Sequence, residues 1–205
     1  RAEIERFKTA LVSLLDHLNP AESEEFHKNL LADFLKQTYY APAHFINTKG
    51  HADLVIHAGK DAASAVGVII EAKRPANAAE MPKPDQLDSK ALRELVLYYL
   101  RERIAGKNLE LRHVIVTNAL EWFLFDAAVF EKAFAQNAPL VAHFTDFEAG
   151  RLSGTTTDFF YEELAKPAIA ARLDELTFTH FDLRDYEAAL RNSSAADDAA
   201  LIALF

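Results

Sequence analysis

A glutamate and a lysine stand two residues apart at the end of an apolar run, in Gly67-Val-Ile-Ile-Glu-Ala-Lys-Arg-Pro75. An aspartate stands inside the preceding run, His51-Ala-Asp-Leu-Val-Ile-His57. Side chains of a strand alternate between its faces, so Glu71 and Lys73 share a face with Gly67 and Ile69, and Asp53 shares one with Val55 and His57. If the two segments pair as a hairpin, residues directly across from each other lie on the same face. The register that sets Asp53 opposite Glu71 leaves Gly59 to Ala65 as the loop, including the turn-prone Gly59-Lys60-Asp61. Two carboxylates that close repel unless a cation lies between them. A hard divalent ion such as Mg2+ prefers oxygen ligands and keeps several waters, which suits a phosphodiester substrate. It can lower the pKa of a bound water and polarise a phosphoryl oxygen. Lys73 beside that water would orient or deprotonate it, or offset charge in the transition state. The competing reading is a surface ion-pair cluster at a hairpin end, which contributes little.

Two helices precede these strands. Ile4, Phe7, Leu11, Leu14, Leu15 and Leu18 recur at helical spacing until Asn19-Pro20 stops the first; the second runs from about Glu22 to Thr38, with Phe26, Leu30, Leu31, Phe34 and Leu35 on its apolar side. Tyr39 to Gly50 is expected as a loop or extended lead-in. Strands are expected over His51–His57 and Ala65–Lys73, then a loop with three prolines, then a long helix from about Gln86 to Ile104. Two more strands follow, Arg112–Asn118 and Glu121–Ala127, then helix near Val129–Gln136 and from about Thr157 to Leu176. The tail has the pattern of short amphipathic helices separated by Asn192-Ser193-Ser194, and ends on an apolar run with no stop signal, as a boundary inside a longer polypeptide would. Helices flanking a mixed four-stranded, or slightly larger, sheet make an α/β sandwich the expected fold class.

The 205 residues suffice for one sizeable core, and with 50% apolar residues and 15 phenylalanines there is ample bulk to fill it. No apolar run reaches the ~18 residues of a membrane span, and the amphipathic, acid-containing start argues against a signal peptide. The absence of cysteine excludes disulfides and thiolate metal sites and fits a cytoplasmic location. A net charge of −9 counts against tight nucleic-acid binding by this chain alone, but a metal-dependent nuclease itself needs clustered carboxylates.

Asp53 followed by Glu71-Ala72-Lys73 resembles the metal site of the PD-(D/E)XK nucleases. The wider chain resembles more specifically the N-terminal cleavage domain of fused type IIG restriction-modification enzymes, in Glu24–Leu35, Ile46–His57, Val66–Pro75, Lys90–Ile104, Val116–Ala127 and Thr157–Ile169. The resemblance implies a restriction-endonuclease-like sandwich over residues 1–175 and a helical connector over 176–205, leading toward a methyltransferase and a target-recognition domain of the same polypeptide. It further implies Mg2+-dependent cleavage of double-stranded DNA, with Mn2+ as a substitute and a transient dimer on the duplex. Asp53 and Glu71 would hold the metal with the carbonyl of Ala72, and Lys73 would serve the attacking water. The glycine-rich cofactor loop and Asn-Pro-Pro-Tyr type motif of methyl transfer do not occur in these residues, so only the cleavage part is represented, and alanine rather than proline precedes Asp53.

Such nucleases often take a further carboxylate from an upstream helix. Glu22 and Glu25 are the candidates, and Glu25 is favoured because it sits in the matching Glu24-Glu-Phe-His-Lys-Asn29 block. A further polar group is expected from the helix after Lys73, where Gln86, Lys90 and Glu94 compete. His51 and His57 are expected as ordinary polar positions, since no third histidine completes a softer-metal site. Trp122, Phe123 and Phe125 are expected as core, and Lys49, Lys60, Lys73, Arg74 and Lys83 as cations around the cleft, either phosphate contacts or ordinary surface charge. The alternatives to a DNA nuclease are a catalytically silent scaffold or nucleic-acid-binding module, and a nuclease for RNA or a repair intermediate.

Overall fold

The computed structural model describes residues 2–192 and residue 199. Six strands form one sheet in sequence order: β1 (Ile46–Lys49), β2 (Ala52–His57), β3 (Val66–Ala72), β4 (His113–Thr117), β5 (Glu121–Asp126) and β6 (Thr179–Asp182). The helices are α1 (Ala2–His17), α2 (Glu24–Leu35), α3 (Lys90–Leu100), α4 (Ala127–Phe130), α5 (Ala138–Glu148), α6 (Thr157–Phe159), α7 (Lys166–Ala170) and α8 (Glu187–Arg191). Every neighbouring strand pair is antiparallel except β3 and β4, which run parallel. A parallel pair needs a crossover, and α3 supplies it. The architecture is thus an α/β sandwich around a mixed sheet, larger by two strands than the four expected.

Both added strands are edges. β1 lies where a loop or extended lead-in was expected, and its residues beyond Ile46 are only partly buried or exposed. β6 lies in the stretch expected as helical connector after residue 175; it pairs with β5 through Trp122↔Phe181 and Phe123↔His180, and Leu183 and Leu190 just beyond it are buried. The helix expected from Thr157 to Leu176 is divided. α6 passes through a π-helical stretch, Phe160–Ala165, into α7, and a 3-10 turn, Leu173–Glu175, follows. Pro167 falls where the π-helical stretch gives way to α7. The expected tail helix is observed as α8; the expectation beyond Asn192 otherwise lies outside the described residues.

The sheet separates two cores. On one face Val55, Ile69, Val114, Val116, Phe123 and Phe125 meet α3 and the helices from α4 to α7. On the other, Leu54, Ile56, Ile70, Ile115 and Trp122 meet α1, α2 and α8. Trp122, Phe123 and Phe125 are buried core residues, as expected. The alternation along β2 and β3 therefore decides which helices each side chain meets. Among the described residues, no helix is long and apolar enough to cross a membrane.

Candidate functional site

β2 and β3 pair in the register Leu54↔Ile70 and Val55↔Ile69. Continued by one residue, that ladder sets Asp53 across from Glu71. The strand bond is replaced there by a side chain: Asp53 Oδ2 accepts from the Ala72 N–H at 2.9 Å. A strand residue's N–H and C=O leave on the same side, so the Ala72 carbonyl also points toward Asp53. On its other side, β3 stays tied to β4 to the end, with the Lys73 N–H donating to the Thr117 carbonyl at 2.8 Å.

Glu71 follows Ile69 onto the face beneath α3 and is only 2% exposed. Its Oε1 lies 2.7 Å from Lys73 Nζ, while Oε2 is buried with no hydrogen-bond partner. The Lys73 ammonium donates to Glu94 Oε2 at 2.5 Å and lies 3.7 Å from Glu80 Oε2. Glu94 is on α3, whose phase is set by Ser89, the N-cap accepting from the Leu92 N–H. Three carboxylates thus converge on one ammonium with three donors, and Asp53 adds a fourth negative charge nearby.

That imbalance appears in the proton affinities. Burial pushes the Glu71 carboxyl well above its ordinary value, the Asp53 charge adds to the rise, and Lys73 only partly opposes it. Burial alone would lower the Lys73 pKa, but Glu71 and Glu94 outweigh it and hold the ammonium firmly protonated. Glu24 is also raised, chiefly by burial, with Lys73 opposing and Asp53 reinforcing. The site is short of positive charge.

The accessory residues differ from the favoured expectation. Glu25 is exposed and reaches the cluster only through Lys28, whose Nζ lies 2.7 Å from Glu25 Oε2 and 3.2 Å from Asp53 Oδ1. Glu22 precedes α2 and is exposed. The carboxylate turned toward the site is Glu24, because Ser23 caps the helix and sets its phase. Glu24 then shares a side with the buried His27 and Leu31, three and seven residues on. That spacing was the available signal. Of the three candidates around α3, Glu94 is the one against Lys73; Lys90 is exposed and pairs with Glu80 at 3.2 Å, and Gln86 is exposed in the preceding loop. Glu80 sits in that loop without periodicity and had no sequence signal.

The remaining candidates fall away from the cluster or beside it. His51 is exposed. His57 is buried, with Nδ1 at 2.6 Å from the Ser64 carbonyl and Nε2 at 2.9 Å from Asn47 Oδ1, so it ties β1 to the hairpin. Replacing His57 with alanine is expected to cost about 2–3 kcal/mol through lost packing and unpaired partners, measured by urea unfolding. Lys60 lies in the loop at the opposite end of the hairpin, and Lys49 is bound to Glu102 at 2.7 Å. Arg74 and Lys83 are exposed beyond the end of β3.

Among the described residues no three histidine, cysteine, aspartate or glutamate side chains form a ready metal cage. Mg2+ does not require one, since it binds through one or two carboxylates and retains waters. Asp53, Glu71 and the Ala72 carbonyl offer oxygen alone, and the orphaned, buried Glu71 Oε2 is an acceptor that a cation would satisfy. The residues fit a hard divalent ion.

A family model described as Domain of unknown function (DUF7149) matches residues 1–205. No curated protein and no solved structure matches the chain.

Proposed function

The chain belongs to the DUF7149 family, whose description leaves the chemistry open, and from the site we propose a metal-dependent endonuclease domain that hydrolyses phosphodiester bonds of double-stranded DNA. The observation that carries this reading is the buried Glu71 Oε2, without a partner, one ladder step beyond the Leu54↔Ile70 pair and so across from Asp53. A divalent ion bound there, Mg2+ or Mn2+, would activate water and neutralise charge on the phosphoryl oxygens. Asp53 and Glu71 would hold it with the Ala72 carbonyl. Lys73 would orient the attacking water with the donor that Glu80, at 3.7 Å, does not hold, and would offset charge on the phosphate. Glu94 and Glu80 hold the Lys73 ammonium in place, and Glu24 adds negative potential from α2. Arg74 and Lys83 are within the chain's exposed surface beyond β3 and are the cations suited to meet phosphate.

On this reading the sandwich is restriction-endonuclease-like, acts in the cytoplasm, and forms the cleavage part of a type IIG restriction-modification enzyme. Its partners are a methyltransferase and a target-recognition domain of the same polypeptide, with a transient dimer on DNA. Support comes from the mixed sheet and from the carboxylates and lysine at the ends of β2 and β3.

One observation favours a silent scaffold instead: each of the two proposed carboxylate ligands already faces an ammonium, in a chain of net charge −9. The test is cleavage of supercoiled duplex DNA and of RNA by the full chain, with millimolar Mg2+ or Mn2+ and with chelator. Cutting of DNA that needs metal and spares RNA is the expected result. Failure to bind either metal at millimolar concentration would replace the nuclease with the scaffold, and preferential RNA cleavage would reassign the substrate.

A further inference from the structure

A second ammonium stands at the site and has no part in the hydrolysis described above. Lys28 rises from α2, with its side chain 16% exposed, and bridges Glu25 Oε2 at 2.7 Å and Asp53 Oδ1 at 3.2 Å. Asp53 Oδ2 is committed to the Ala72 N–H, so Lys28 lies on the oxygen that remains for an ion. Asp53 itself is only 13% exposed on its side chain, which limits how far water can screen the pair.

We propose that Lys28 is an internal counter-cation that neutralises Asp53 in the metal-free protein and is displaced when a divalent ion enters. The inference rests on the metal centre proposed above and concerns its regulation. Each of the two proposed carboxylate ligands faces one ammonium, Asp53 facing Lys28 and Glu71 facing Lys73. Lys73 is held by Glu71, Glu80 and Glu94 and stays where it is. Lys28 has a second resting partner in the exposed Glu25, at the shorter distance, so it can release Asp53 without losing its last carboxylate. Metal affinity is thereby set by competition: the ion must offer Asp53 more than the lysine does. Glu25, though not a ligand, becomes the acceptor that receives the displaced cation.

The experiment is Mn2+ titration of the full chain, following free Mn2+ by electron paramagnetic resonance. Wild type is compared with Lys28→Met, Lys28→Arg, Asp53→Ala and the Lys28→Met, Asp53→Ala double variant. Methionine keeps the aliphatic stem and removes the charge, and Lys28→Gln is a second neutral replacement. Lys28→Met and Lys28→Gln are expected to bind Mn2+ about fivefold more tightly than wild type, and Lys28→Arg to remain within about twofold of it. Asp53→Ala weakens binding, and in that background Lys28→Met changes nothing, as a competition acting through Asp53 requires. Unchanged or weaker binding by both neutral variants, with Asp53→Ala still weakening it, overturns the competition and leaves the metal centre standing. Equal Mn2+ binding by wild type and Asp53→Ala overturns both.

Discussion

Glu71→Gln is expected to lower duplex cleavage by at least about a thousandfold while raising the melting temperature of the metal-free protein by about 2–4 °C. The two effects have one source. Glu71 is almost completely buried beside Asp53 and Glu94; its Oε2 meets no hydrogen-bond donor, and the facing Glu94 carboxylate adds to the rise in its pKa. A metal would complete it; without one, the carboxylate is a cost to the fold. Glutamine keeps the volume, its amide oxygen can take the Lys73 bond, and its NH2 can donate to the facing Glu94 carboxylate. The pH dependence fixes the sign. Folding raises the Glu71 pKa above its ordinary 4.5, chiefly by burial, so between those two values the folded chain binds the extra proton. Stability then falls as pH rises through that window. The advantage of Glu71→Gln is expected to be absent below about pH 4.5 and fully present only above the raised pKa. Calorimetry across that range checks it, and a variant that melts lower than wild type at neutral pH contradicts it.

The opposite balance holds at Lys73. Lys73→Met is expected to reduce cleavage by at least about a hundredfold and to cost about 3–5 kcal/mol at neutral pH, because buried carboxylates lose their shared cation. Lys73 is 5% exposed on its side chain and serves Glu71, Glu80 and Glu94 together. Its folded-state pKa lies above the ordinary 10.5, against the lowering effect of burial, through Glu71 and Glu94. The stability it contributes is therefore complete below about pH 10.5 and lost only as pH rises through the higher folded value. In the variant, Glu71 takes up a proton instead, so its deficit is expected to shrink as the pH falls toward 4.5. Urea unfolding at pH 5 and pH 7 distinguishes this from a simple packing loss, which would be the same at both. A pH-independent deficit would place the role of Lys73 in packing rather than in charge.

The central strands were legible in the sequence because β2 to β5 are flanked by neighbours on both sides and carry buried residues along most of their length. β1 and β6 were not: each is four residues long, at an edge, with one apolar face at most. α5 was overlooked although its signals were present, with Asn137 as N-cap, Pro139 in the first turn, and Leu140, Phe144 and Phe147 at helical spacing. Strand alternation put Asp53 and Glu71 on one face once the hairpin was assumed, and the register that sets them opposite each other was the one leaving Gly59–Ala65 as the loop. The choice among neighbouring glutamates was not legible in the same way, because one residue along a helix turns a side chain by about 100°. Glu24 rather than Glu25 depends on Ser23 as the cap, and Glu94 rather than Gln86 or Lys90 depends on Ser89.

The short borders of the sheet limit how copies of this chain can associate. β1 exposes Thr48 and Lys49, and β6 ends in Asp182, which is bound to Arg184. Four-residue borders carrying charge give a visiting strand few backbone groups to pair with. Sheet continuation from molecule to molecule is thereby discouraged, and self-association has the helical layers as its available surface.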